Sequence, residues 1–132
     1  MIFNENSFCG GVFNDAINLS LDSFITKYEA KSKSTKKDII FNSTTLVLDD
    51  STLLISSDTP NKVTSCQCQF KEMSKIEQFI EAVQKDKRFE HDNFMGSLYY
   101  YPENINGLSM SKIAIHAEKT TFYYFVELIL IY

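Results

Sequence analysis

The sequence predicts an α+β fold: a predominantly antiparallel sheet of about six strands with two main helices, in the order helix, three strands, helix, three strands. Three observations predict it. Residues 120–132 are β-branched or aromatic almost throughout, with neither Gly nor Pro, which is strand composition. Residues 75–89 place Ile76, Phe79, Ile80 and Val83 on one helical stripe. The 132-residue chain also holds eleven Phe and seven Tyr but no Trp, a bias towards sheet.

Taken in order, residues 1–19 offer apolar anchors (Phe3, Phe8, Val12, Phe13, Ile17, Leu19) without a clear period, and Gly10-Gly11 breaks the pattern. A helix starts at Ser20 or Asp22, either of which can cap it, and carries Leu21, Phe24, Ile25 and Tyr28 at helical spacing. It fades in residues 31–37, read as a solvated lysine-rich loop. Three strands follow at about 39–48, 52–57 and 62–70, separated by turns at Asp49-Asp50-Ser51 and Thr59-Pro60-Asn61. In the third, Thr64, Cys66, Cys68 and Phe70 alternate with Ser65, Gln67 and Gln69, the pattern of a half-buried strand.

The helix at 75–89 opens with Ser74 and Glu77 at capping-box spacing, and Glu81 and Lys85 form an i,i+4 pair on its wet side. Strands at about 94–101, 108–118 and 121–132 complete the order, with a turn-rich connection at 102–107. The last two form a hairpin around Lys119-Thr120, in a register that sets Lys112 opposite Glu127 and His116 opposite Tyr123. The terminal strand is apolar on both faces apart from Glu127, so it belongs mid-sheet with cover on both sides. The expectation is a single self-contained domain over 1–132, large enough to bury roughly two thirds of its unfolded surface. The two helix-plus-three-strand halves share no residue-level similarity.

The net charge is −4. Residues 27–37 hold five lysines against one glutamate, so an acidic body of −8 remains. Such a body is poorly suited to neutralising phosphates, which argues against nucleic acid, and suits steering of a basic protein partner. There is no basic start followed by a long apolar run at the N-terminus, and no apolar stretch of spanning length, so no secretory signal and no membrane association are expected. Three cysteines, two of them in Cys66-Gln67-Cys68, argue against a disulfide framework and for a reducing, cytoplasmic setting.

No constellation of catalytic residues emerges. His91 lies in Glu90-His91-Asp92 without a second histidine at ligand spacing, and His116 reads as a packed strand residue. Cys66 and Cys68 share a face with no cation beside them, and read as buried thiols. Glu127 reads as a structural ion-pair partner of Lys112. Tyr99-Tyr100-Tyr101 would suit base stacking only beside a positive groove. No catalytic residue, cofactor or metal is therefore assigned.

In size, acidic charge and absence of a catalytic constellation, over its whole length, the chain resembles bacterial immunity proteins of the contact-dependent inhibition type. That resemblance implies a non-catalytic protein that binds and neutralises a cognate toxin domain, often a basic nuclease, through acidic and aromatic surface residues. The residues expected to do so lie in loops: Asp49, Asp50, Asp58, Glu90, Asp92 and Glu103. The alternative is a small-ligand-binding or metal-dependent enzyme. The two helix-plus-three-strand units are similar in outline to glyoxalase-type folds, for which only His116 and Glu127 occupy suitable strands.

Overall fold

A computed structural model describes residues 2–91, 98–100, 112–119 and 121–132. Among these, three helices and eight strands follow the order α1 (Phe8–Asn18), α2 (Leu21–Glu29), β1 (Ser34–Asp38), β2 (Ser43–Val47), β3 (Thr52–Ser56), β4 (Ser65–Phe70), α3 (Ser74–Lys85), β5 (Phe89–His91), β6 (Leu98–Tyr100), β7 (Lys112–Lys119) and β8 (Tyr124–Ile131). The strands form one antiparallel sheet in the order β1-β2-β3-β4-β8-β7-β6-β5. The α+β class and the antiparallel sheet are those the sequence predicts.

Helix α1 is the element the sequence reading lacked. Cys9, Val12, Phe13, Ala16 and Ile17 are buried at i, i+3, i+4, i+7 and i+8, a complete helical stripe. Its start is a tight turn in which the Ser7 N–H and Oγ both donate to the Asn4 carbonyl, while Ser7 Oγ accepts from the Gly10 N–H at 3.0 Å. A Cβ on residue 10 would stand 2.0 Å from that carbonyl oxygen, so the turn can close only over glycine. The Gly-Gly pair that looks like a break is thus a close-packing site at the head of a helix. Buried Asn14 then fastens the preceding segment, accepting from the Phe3 N–H and donating to the Phe3 carbonyl at 3.0 and 2.8 Å. This holds the Phe3 ring against Phe13, Phe79 and Phe89.

Helix α2 is capped by Ser20, whose Oγ accepts from the Ser23 N–H, and buries Phe24 and Tyr28. Helix α3 buries Ile76, Phe79 and Val83 as its stripe predicts, and Lys85 Nζ lies 2.8 Å from Glu81 Oε1. Its expected capping box does not form. Ser74 is already the first helical residue, and the cap position falls on Met73, which has no capping side chain. The helix also ends sooner, at Lys85, because Phe89–His91 pairs with β6 as an edge strand.

Two corrections concern the first hairpin. The lysine-rich segment is not wholly a loop: Ser34–Asp38 is the outermost strand, paired with β2. Lysines are a common device for keeping such an edge from pairing with other chains. The strand expected over 39–48 begins only at Ser43, because Asp38 and Asn42 bracket a turn. Asp38 Oδ1 accepts from the N–H groups of Ile40 and Phe41, and Asn42 takes a left-handed φ of 48°. Both are residues whose short polar side chains support turns.

A third correction concerns the last hairpin. In β7–β8 the register pairs His116 with Glu127 and Lys112 with Ile131, a slide of four residues from the expected arrangement. A two-residue turn at Lys119-Thr120 would need residues that tolerate positive φ, and neither does so readily. The strands instead join through residues 120–123, since Lys119 pairs with Tyr124. An even slide keeps every side chain on its face, so the alternation survived while the pairing moved.

Strand β8 does lie in mid-sheet, between β4 and β7. Its two faces differ, however. Val126, Leu128 and Leu130 join Leu46, Leu53, Ile55, Cys66, Cys68, Ile113 and Ile115 in one core that also takes in the buried residues of all three helices. The second face receives no helix among the described residues. Helix α2 and the N-terminal segment thus lie on the same side as α3, while Ala114 and Phe125 on the second face are nonetheless buried. At the level of elements the halves do correspond. Each is a helix followed by a four-strand meander, and their last strands, β4 and β8, meet antiparallel at the centre.

Candidate partner-binding face

The outer face is built by strict alternation. Along β4, Ser65, Gln67 and Gln69 point away from the core while Cys66, Cys68 and Phe70 are buried, as expected. Across the sheet the register gives three outer rows. One holds Glu90, Ala114, Ile129, Ser65 and Ser56; the next His116, Glu127, Gln67, Leu54, Thr45 and Lys36; the third Glu118, Phe125, Gln69, Thr52, Val47 and Ser34, with Ala114 and Phe125 buried within them.

Glu127 lies at the centre of this face. Its Oε2 accepts from Gln67 Nε2 at 2.8 Å, and Gln69 Nε2 donates in turn to Gln67 Oε1 at 3.0 Å. The Lys112 ion pair expected for it is replaced by this amide contact and by His116 directly opposite in the register. His116 Nε2 stands 3.3 Å from Glu118 Oε2. The face thus carries Glu127 and Glu118 as near neighbours, with Glu118 well exposed at 59%. Glu90 adds a third carboxylate from β5 at the sheet edge.

The six acidic residues expected at the site are not gathered into one patch. Asp49 and Asp50 occupy the β2–β3 turn, with Asp49 Oδ1 3.3 Å from Lys33 Nζ, both groups exposed. Asp58 follows β3 at the opposite end of the sheet, its N–H donating to Thr64 Oγ1. Consecutive turns of a meander alternate ends, so a five-residue strand holds these groups about 17 Å apart. Glu90 belongs to a strand, not a loop, and Asp92 and Glu103 lie outside the described residues. At the Asp58 end a groove of about 630 Å³ is lined by Phe41, Asp58, Glu127, Ile129 and Ile131. At the Asp49 end a second, about 670 Å³, joins Asp49 and Asp50 to Gln69, Phe122 and Tyr123. The first pairs carboxylates with aromatic and aliphatic surface, whereas the second also carries Lys33, Lys71 and Lys75 beside its carboxylates.

Sequence reasoning missed Phe41, Ile129 and Ile131 as surface residues. Ile129 and Ile131 were assigned to a covered face, although Ile131 is 43% exposed. The readable signal was the wet face of the neighbouring strand, Ser65-x-Gln67-x-Gln69, with which a paired outer face must agree.

The cysteines behave as the sequence predicts. Cys9, Cys66 and Cys68 are free and buried, and burial pushes the Cys68 thiol well up, reinforced by Cys66 and Cys9 beside it. Burial also raises the Tyr28 phenol far above its ordinary range, helped by its donation to Asp15 Oδ2 at 2.6 Å. Tyr132, whose hydroxyl donates to the Val63 carbonyl, is raised by burial as well. These are structural anchors beneath or beside the sheet. Although His116 and Glu127 are direct neighbours, not four residues apart, no group of three or more His, Cys, Asp or Glu among the described residues is placed to hold a metal. No helix among them is long and apolar enough to cross a membrane.

No family model matches the chain, and no curated protein or solved structure matches it significantly.

Proposed function

We propose that this chain is a non-catalytic protein-binding protein, an immunity protein of the contact-dependent inhibition type that neutralises a basic toxin domain in the cytoplasm. The observation that carries the reading is the outer sheet face, where Glu90, Glu118 and Glu127 share a surface with Ile129, Ile131 and Leu54. Carboxylates beside aliphatic surface suit a cationic partner. The charges steer encounter and fix orientation, and the apolar area supplies burial. The grooves at either end extend that surface to Asp58 on one side and to Asp49 and Asp50 on the other. In this reading the loop acids are the rim of the site, and the strand acids are its centre.

The test is binding to the toxin domain encoded beside this gene, measured by calorimetry, with Glu90→Lys and Glu118→Lys compared against the parent. Reversing two exposed charges on the face should weaken binding at least tenfold, mainly through a slower association rate, while leaving the fold intact. Unchanged affinity in both variants would remove the face from the proposal. Stoichiometric divalent metal in the purified protein would remove the non-catalytic reading itself.

A further inference from the structure

Ile39, Ile40 and Phe41, at the tip of the β1–β2 hairpin, are 93%, 88% and 76% exposed. Isolated apolar residues on a surface need no explanation, but three in succession at a projecting tip do. The turn does not require them. Its geometry is satisfied by polar groups: Asp38 Oδ1 accepts from the Ile40 and Phe41 N–H groups at 3.0 and 3.2 Å, and Asn42 is fastened to the end of β3. There the Asn42 side chain donates to the Ser57 carbonyl, and the Asn42 carbonyl accepts from the Ser57 N–H. The tip is therefore a braced platform that holds three apolar side chains out in water.

Charge decides what it faces. Lys36 and Lys37 are exposed on β1 just before the tip, whereas Lys33 lies at the other end of the strand against Asp49. Asp38 is the sole carboxylate among residues 31–48, and it is turned inward onto backbone N–H groups. This hairpin is the cationic pole of an otherwise acidic chain. A convex apolar tip with lysines along its stem matches an anionic bilayer, where apolar side chains enter the boundary between headgroups and acyl chains and ammonium groups meet phosphates.

We propose that the β1–β2 hairpin is a peripheral membrane-docking finger, with Ile39, Ile40 and Phe41 entering an anionic phospholipid surface and Lys36 and Lys37 contacting its headgroups. The expectation of no membrane association rested on the lack of a spanning segment, and a docking finger needs none. The finger adjoins the partner-binding face: Phe41 also lines the groove at the Asp58 end and Lys36 stands in the row that holds Glu127, so the two proposals share these two residues and are separated by their readouts, flotation for one and toxin binding for the other.

The experiment is flotation of the full chain with vesicles of phosphatidylcholine alone or mixed with phosphatidylglycerol. The protein should float with the mixed vesicles only, and less so as salt rises. Ile39→Ser/Ile40→Ser/Phe41→Ser, and separately Lys36→Glu/Lys37→Glu, should each lower vesicle affinity at least tenfold with unchanged circular dichroism. Because the chain has no Trp, Phe41→Trp supplies a single reporter whose emission should shift to the blue on mixed vesicles. No flotation with mixed vesicles at low salt overturns the proposal, as does flotation that the triple variant retains. Tip-dependent dimerisation in sedimentation equilibrium without flotation would also overturn it, and would assign the finger to a second copy of the chain.

Discussion

Gly10 and Gly11 are adjacent in sequence but stand in opposite positions energetically. At residue 10 a methyl group would overlap the Asn4 carbonyl and crowd Ser7 Oγ, so Gly10→Ala must open the turn that fastens the N-terminal segment. A loss of more than about 2 kcal/mol in urea unfolding is expected. At residue 11 the nearest atom is Glu5 O at 3.4 Å, an ordinary contact, and Gly11→Ala should be neutral or stabilise by up to about 1 kcal/mol through helix propensity. Tyr28 makes a second test, through pH. Its folded-state pKa lies above the unfolded value near 10, so its contribution is fully present below pH 10 and is lost as pH rises beyond it. Tyr28→Phe should therefore be less stable than the parent at neutral pH and show a shallower decline in stability above pH 10, read from urea midpoints across that range. Asp86 has the opposite sign. The Arg88 guanidinium beside it, with Nη2 2.6 Å from Oδ2, holds its carboxyl below the usual range, so that contribution is present above pH 4 and fades under acid.

The hairpins distinguish what alternation can reveal from what it cannot. Coupling between Lys112 and Glu127 should be absent in a double-mutant cycle, since the register sets Lys112 against Ile131. A cycle between Gln67 and Glu127 should instead give about 0.5–1 kcal/mol of coupling, reflecting their 2.8 Å contact. Additivity in the second cycle would contradict the β4–β8 register. Strand identity was legible wherever period-two alternation met clear turns, as at β3, β4 and β8. The register of β7 on β8 was not, because any even slide buries the same residues and a charge pair is a weak guide to choosing among them. Helix α1 was illegible for a different reason. Its stripe of Cys9, Val12, Phe13, Ala16 and Ile17 was complete, but the glycine pair inside it masked the period, and the contact that explains Gly10 lies outside the helix. At the site, the types of residue were readable and their assembly was not. Carboxylates in loops look equivalent in sequence, whereas the meander sends Asp49 and Asp58 to opposite ends and leaves Glu118 and Glu127 together on the face.

Across the molecule, stability should be graded from the centre of the sheet outwards. Strands β4, β8 and β7 are paired on both sides and lie over the helices, whereas β1 is an edge with mostly exposed side chains and β5 is a three-residue edge. Amide hydrogen exchange should accordingly be slowest at Cys66, Cys68, Val126 and Leu128 and fastest along β1, with the edge opening below the global unfolding free energy. Uniform protection across the eight strands would show that the sheet opens only as one unit.

The joining of the two meanders through β4 and β8 also bears on how the chain is made. Gln67 and Glu127 are register partners sixty residues apart, so β4 leaves the ribosome roughly 3–12 s before the strand that will lie beside it. During that interval the first meander already has its turns and its two helices, but its inner strand, β4, is paired only with β3 and has its other edge open, with Cys66, Cys68 and Phe70 on one face. The middle of the finished sheet is thus the margin of the nascent one. For those seconds the edge most open to wrong pairing is the one that later becomes the best protected part of the protein.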